Sequence, residues 1–103
     1  MISLQQARQL VYETINQPDL YWPDKPEMII VDEETIEKDY GWIFFWTSRP
    51  LYETNDSRYE IAGNVPIIVS RVDGSMQTYY LLDERVCKQI EDQLRAKFLE
   101  NEK

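Results

Sequence analysis

The chain has 103 residues, of which 43% are hydrophobic and 13% aromatic; it carries a formal net charge of −8, no histidine and one cysteine. The length is that of one domain spanning residues 1–103, burying roughly two-thirds of its unfolded surface on folding, and the composition excludes global disorder. The acidic balance argues against nucleic acid, whose phosphates call for clustered Lys and Arg, and suits either solubility alone or a basic partner steered in by charge. The absence of histidine removes the usual general base, the usual zinc ligand and the Ser-His and Cys-His nucleophile pairs. A single cysteine, Cys87, excludes an internal disulfide framework and a Cys-rich metal site. The start MISLQQARQL lacks a basic segment followed by an apolar run, and no stretch reaches the ~20 apolar residues of a membrane span. The expectation is a soluble, cytoplasmic protein with no membrane partner.

In chain order, Ser3 and Gln6 have the spacing of a capping box. Behind them Leu4, Ala7, Val11 and Ile15 mark one face of a helix, with Leu10 beside it. Pro18, Pro23 and Pro26 end that helix. Met28 to Val31 is short and β-branched, a strand, with Asp32–Glu34 and Glu37–Tyr40 as its frayed or turn-forming continuation. Gly41 to Tyr52 is a second strand, bent or ended near Pro50, and residues 54–57 are a polar turn. Ala62, Gly63 and Asn64 form another turn. Val65 to Val72 is the clearest strand, through the apolar run of Ile67, Ile68 and Val69. Asp73 and Gly74 signal a two-residue hairpin into a strand over residues 75–81. Asp83 is the N-cap of a last helix, with Glu84 in its first turn, a stripe of Val86, Ile90, Leu94 and Phe98, and a Glu91–Arg95 ion pair. The expected fold class is α+β: an N-terminal helix, an antiparallel meander of three to four strands, and a C-terminal helix packed on the sheet, with both helices on one sheet face.

Four features are weighed for function. Between Asp19 and Asp39 lie eight acids and two bases, net −6. The window reads as a solvated surface or as a patch for a basic protein; it lacks the spacing and glycine of a calcium loop, and a turn-rich acidic segment offers no pocket for catalytic carboxylates. Asp32, Glu33, Glu34, Glu37 and Asp39 are its candidate partner-binding residues. The second feature is GWIFFWTS, residues 41–48. On a strand Trp42, Phe44 and Trp46 share one face while Ile43 and Phe45 share the other. One face can be core; Phe45 is then covered by the rest of the chain or by a partner, since monomers rarely expose large apolar patches. Third, Gly63–Pro66 superficially suggests a phosphate loop but lacks the Lys, the glycine count and the following helix. Cys87, on an apolar helix face with no histidine to activate it, reads as a buried, inert thiol.

The central stretch resembles the immunity protein 35 family, or YrhB-like domain. The resemblance rests on Trp42, Phe44, Trp46 and Ser48, on Tyr52, Glu53 and Thr54, on Gly63, Asn64 and Pro66, and on Ile67, Ile68, Val69 and Gly74. It covers nearly the whole chain, and departs from the family after Gly74, where residues 76–80 read MQTYY. The resemblance implies a bacterial cytoplasmic immunity protein of a polymorphic toxin system. Such a protein binds a cognate toxin domain and blocks it stoichiometrically, with no catalytic residues, metal or cofactor. It also implies that the motif residues hold the fold, Gly63 and Asn64 shaping a turn and Trp42 filling the core. A different class, a small stress-related or chaperone-like domain holding unfolded clients on exposed aromatics, is the alternative; an enzyme is the remotest reading.

Overall fold

The computed structural model describes residues 1–56 and 64–102. Within them the elements run α1 (Leu4–Ile15), β1 (Met28–Ile30), a short 3-10 turn (Asp32–Glu34), β2 (Ile36–Lys38), β3 (Gly41–Phe44), β4 (Trp46–Ser48), α2 (Arg49–Thr54), β5 (Ile67–Ser70), β6 (Met76–Thr78) and α3 (Glu84–Asn101). The fold class is α+β, as expected. Four strands form an antiparallel sheet in the order β2-β3-β5-β6, and β1 pairs antiparallel with β4 in a separate two-stranded sheet.

Local chemistry explains the helix ends. Ser3 Oγ accepts the Gln6 amide at 3.1 Å while Gln6 Oε1 accepts the Ser3 amide at 2.8 Å, the reciprocal capping box. Asp83 caps α3 by accepting the Val86 amide at 3.3 Å. At the other end of α1, Asn16 clamps the helix to β1: its Nδ2 donates to the Tyr12 and Met28 carbonyls and its Oδ1 accepts the Met28 amide.

The two long helices, α1 and α3, lie on opposite faces of the large sheet, which corrects the expectation of a shared face. On one face Ala7, Val11 and Ile15 of α1 pack with Trp42, Phe44, Ile67 and Val69. On the other, Cys87, Ile90 and Leu94 of α3 pack with Tyr40, Ile43, Ile68 and Tyr79. The physical reason is the pairing of β3 with β5, which sets Trp42 opposite Val69, Ile43 opposite Ile68 and Phe44 opposite Ile67. Both central strands are apolar on both sides, so each side needs its own cover.

Three further expectations change. The strand extended to Tyr52 stops at Ser48, where the Ser48 side chain accepts the Leu51 amide and Pro50 sits in the first turn of α2. Ser and Pro there are a helix start rather than a strand end. The hairpin between β5 and β6 spans residues 71–74, closed by Ser70 and Ser75, with Gly74 at φ +78°. Its β6 arm ends at Thr78. Glu91 does not pair with Arg95: it accepts the Tyr40 hydroxyl at 2.6 Å, and Arg95 pairs instead with Asp39 at 3.6 Å while lying 5.2 Å from the Tyr40 ring. Tyr40 is closed off from solvent, and burial, with the Glu91 bond second, pushes its phenol well above the ordinary range. Ala62 and Gly63 of the expected turn at residues 62–64, and Ser57 of the one at 54–57, lie outside the described residues.

Candidate functional site

The aromatic run changes sheets at Phe45. Residues before it pair in the four-stranded sheet, and those after it pair with β1; the Phe45 carbonyl accepts the Val31 amide at 2.8 Å at the corner. Alternation carries through the corner. Trp46 packs on the α1-side core with Trp42 and Phe44, and Phe45 packs on the α3-side core, half-buried. Two hydrogen bonds hold the turn beyond the corner: Trp46 Nε1 donates to the Val65 carbonyl at 2.8 Å and Asn64 Nδ2 to the Trp46 carbonyl at 3.2 Å. The Pro66 carbonyl accepts the Tyr79 amide at 2.8 Å. The first two bonds hold Asn64 and Val65 against β4, and the third ties Pro66 to the residue after β6.

The exposed side of this corner is an open groove of about 590 Å³. Among the described residues its apolar wall includes Phe45, Trp46, Leu51, Pro66 and Leu81, and its acidic rim is Glu33 and Glu34 from the 3-10 turn. Tyr52 of α2 crosses the rim and donates its hydroxyl to Glu33 Oε1 at 2.7 Å. That bond to a carboxylate raises the phenol's pKa. Among the described residues, two carboxylates and no basic side chain line the groove.

The five acids singled out in the sequence have different partners. Asp32 is held by Arg8 through a two-pronged contact at 2.7 and 2.9 Å, and that bond lowers its pKa. Glu37 accepts Trp42 Nε1 at 3.2 Å and pairs with Arg71 at 3.3 Å; Arg71 in turn lies 4.6 Å from the centre of the Trp42 ring. Asp39 accepts the Tyr40 amide and pairs with Arg95. Glu33 and Glu34 alone of the five have no cation beside them among the described residues, and both line the groove. Of the motif residues, Trp42 and Phe44 are fully buried; a Cβ at Gly74 would come within 2.9 Å of the Leu10 side chain of α1. Gly63 lies outside the described residues.

The sequence reading missed Tyr52, Leu51 and Leu81 as groove residues. For Tyr52 and Leu51 the signal was present: Ser48 and Pro50 announce a helix that turns both back toward β4. For Leu81 there was none, because its place depends on how the β6–α3 connection crosses the sheet edge.

No described helix is long and apolar enough to cross a membrane. Among the described residues, no group of three or more His, Cys, Asp and Glu side chains is placed to hold a metal ion. The sequence model of the family described as immunity protein 35 matches residues 6–85. That is most of the chain, from the first turn of α1 to the first turn of α3, and the chain belongs to the immunity protein 35 family. Comparison with curated proteins and with solved structures returns no match for either.

Proposed function

We infer that this protein neutralises a cognate toxin domain by binding it one to one, without chemistry of its own. The observation that carries the reading is family membership across residues 6–85. Two features support it. Histidine is absent from the chain, and Glu27, Tyr40 and Asp73, whose pKa values are displaced, engage structural partners away from the groove, where the displaced group is Tyr52, bonded to Glu33. The groove itself combines half-buried aromatics with an acidic rim, the anatomy of a protein contact surface.

The test is a titration of the cognate toxin domain, sought in the reading frames beside this gene. Its activity should fall linearly with added protein and vanish at a molar ratio of one, and the two should co-elute as a 1:1 complex. Abolition of toxin activity at a small fraction of an equivalent would point to turnover and refute stoichiometric inhibition.

A client-holding role has one observation in its favour: Leu20, Tyr21 and Leu82 are almost wholly exposed. Strong enhancement of a fluorescent hydrophobic dye by the native protein would favour that role over a closed inhibitor.

A further inference from the structure

We propose that the groove at the Phe45 corner is the toxin-binding face and that its occupant is a Lys- or Arg-bearing segment of the toxin, its cation seated between Glu33, Glu34 and the aromatic wall. This rests on the immunity reading above.

The argument starts from how the acidic window is spent. Asp32, Glu37 and Asp39 each have an arginine against them, from α1, from the β5–β6 connection and from α3 respectively. Other cations are likewise engaged: Arg49 with Glu27 and Glu53, and Lys97 with Asp73. Glu33 and Glu34, on the groove rim, are left with no cation among the described residues. Tyr52 steadies Glu33 without neutralising it, since a phenol donates a hydrogen bond and carries no charge.

The wall supplies the second half of the recognition. Trp46 is fixed by its bond to the Val65 carbonyl, and Phe45 by packing on the α3-side core. Both residues line the groove, so a cation entering it meets carboxylates beside aromatic residues. Leu81, half-exposed on the groove wall, and the fully exposed Leu82 after it extend the surface with apolar contact. A segment with one or two cations flanked by apolar residues complements this surface in charge and character. An acidic segment meets repulsion from the rim and from a chain of net charge −8.

The test pairs Glu33→Lys/Glu34→Lys with Glu100→Lys/Glu102→Lys, the same charge change placed at the end of α3. Both sites are exposed, so both variants should melt like wild type. Against the cognate toxin domain, the groove variant should lose about a hundredfold in affinity, as like charges brought together across an interface do. The α3 variant should change less than threefold, and Leu81→Asp should weaken binding with the melt preserved. A Lys→Glu or Arg→Glu change in the toxin should restore binding to the groove variant. Hydrogen exchange of the wild-type complex should protect residues 31–34, 45–47 and 81–82. Wild type that neutralises one to one while the groove variant stays within twofold overturns the groove and leaves the immunity reading standing. Wild type that fails to bind the toxin at all overturns the immunity reading and the groove with it. Equal losses in both charge variants, or a homodimer that the groove variant splits, also overturns the assignment.

Discussion

Replacing Trp42 with alanine removes the largest fully buried side chain, an indole 1% exposed between α1 and the sheet. A tryptophan buries about 150–250 Å², which at ~25 cal/mol per Å² is roughly 4–6 kcal/mol of transfer free energy. Large-to-small changes of this kind cost about 3–5 kcal/mol in practice. Two polar contacts go with the ring: the Nε1 bond to Glu37 at 3.2 Å and the Arg71 guanidinium 4.6 Å from its centre. Neither partner is orphaned, because Glu37 and Arg71 still meet each other and Arg71 still donates to the Lys38 carbonyl at 2.8 Å. The polar losses therefore stay small, and the expected destabilisation is about 4 kcal/mol. With a urea slope of about 2 kcal/mol per molar, the midpoint should fall by about 2 M at unchanged slope. A double-mutant cycle with Arg71→Ala should return a coupling of about 0.5–1 kcal/mol for the cation over the ring. A loss below about 1.5 kcal/mol, or an unaltered melt with loss of toxin binding, would refute the reasoning, because it would place the indole outside the core.

Gly41→Ala should be as damaging for a different reason. A Cβ there would stand 1.9 Å from the Val69 carbonyl oxygen of the paired strand, so β3 and β5 must separate; the expected cost is about 3 kcal/mol or more, read by thermal melting. The acid limb should trace two carboxylates. Glu27, held by Arg49 and then Tyr12, is drawn down to about 2, and Asp73, held by Lys97, also to about 2. Both lie below their ordinary values of 4.5 and 3.8, so the stability they contribute is complete above about pH 4.5 and is lost as the pH falls toward 2. Melting temperature should drop across that window in wild type and less steeply in Glu27→Gln and Asp73→Asn. The Asp73 share is under about 1 kcal/mol, because the pair is half-exposed and screened.

How far the fold could be read in advance depended on whether the signal was local. The capping box at Ser3, the Asp83 cap and the apolar stripes of both long helices are written within a few residues, and the structure keeps them, although Leu4 and Val86 prove exposed. The alternation of GWIFFWTS was also readable, and it sorts Trp42, Phe44 and Trp46 from Ile43 and Phe45 as a pleated strand must. The placement of the helices was not read, although Ile67, Ile68 and Val69 already implied it: a strand apolar on both sides asks for cover on both sides. The helix at Arg49 was hidden because Pro50 stops a strand and starts a helix with equal ease, and only Ser48 before it decides between them.

The candidate site was legible as ingredients. The sequence alone determines that the chain is acidic, lacks histidine, concentrates its carboxylates between Asp19 and Asp39, and places bulky aromatics at 42–46. These follow from composition and strand periodicity, which need no third dimension. Tertiary structure alone decides which carboxylates remain available. Arg8, Arg71 and Arg95 come from positions 24 to 56 residues away from their acids and neutralise Asp32, Glu37 and Asp39, leaving Glu33 and Glu34 on the groove. It likewise decides the fate of Phe45, whose ring packs on the α3-side core while the corner it makes opens the groove. Charge pairing and cover are set by contacts between distant segments, and no local pattern encodes the distance at which they meet.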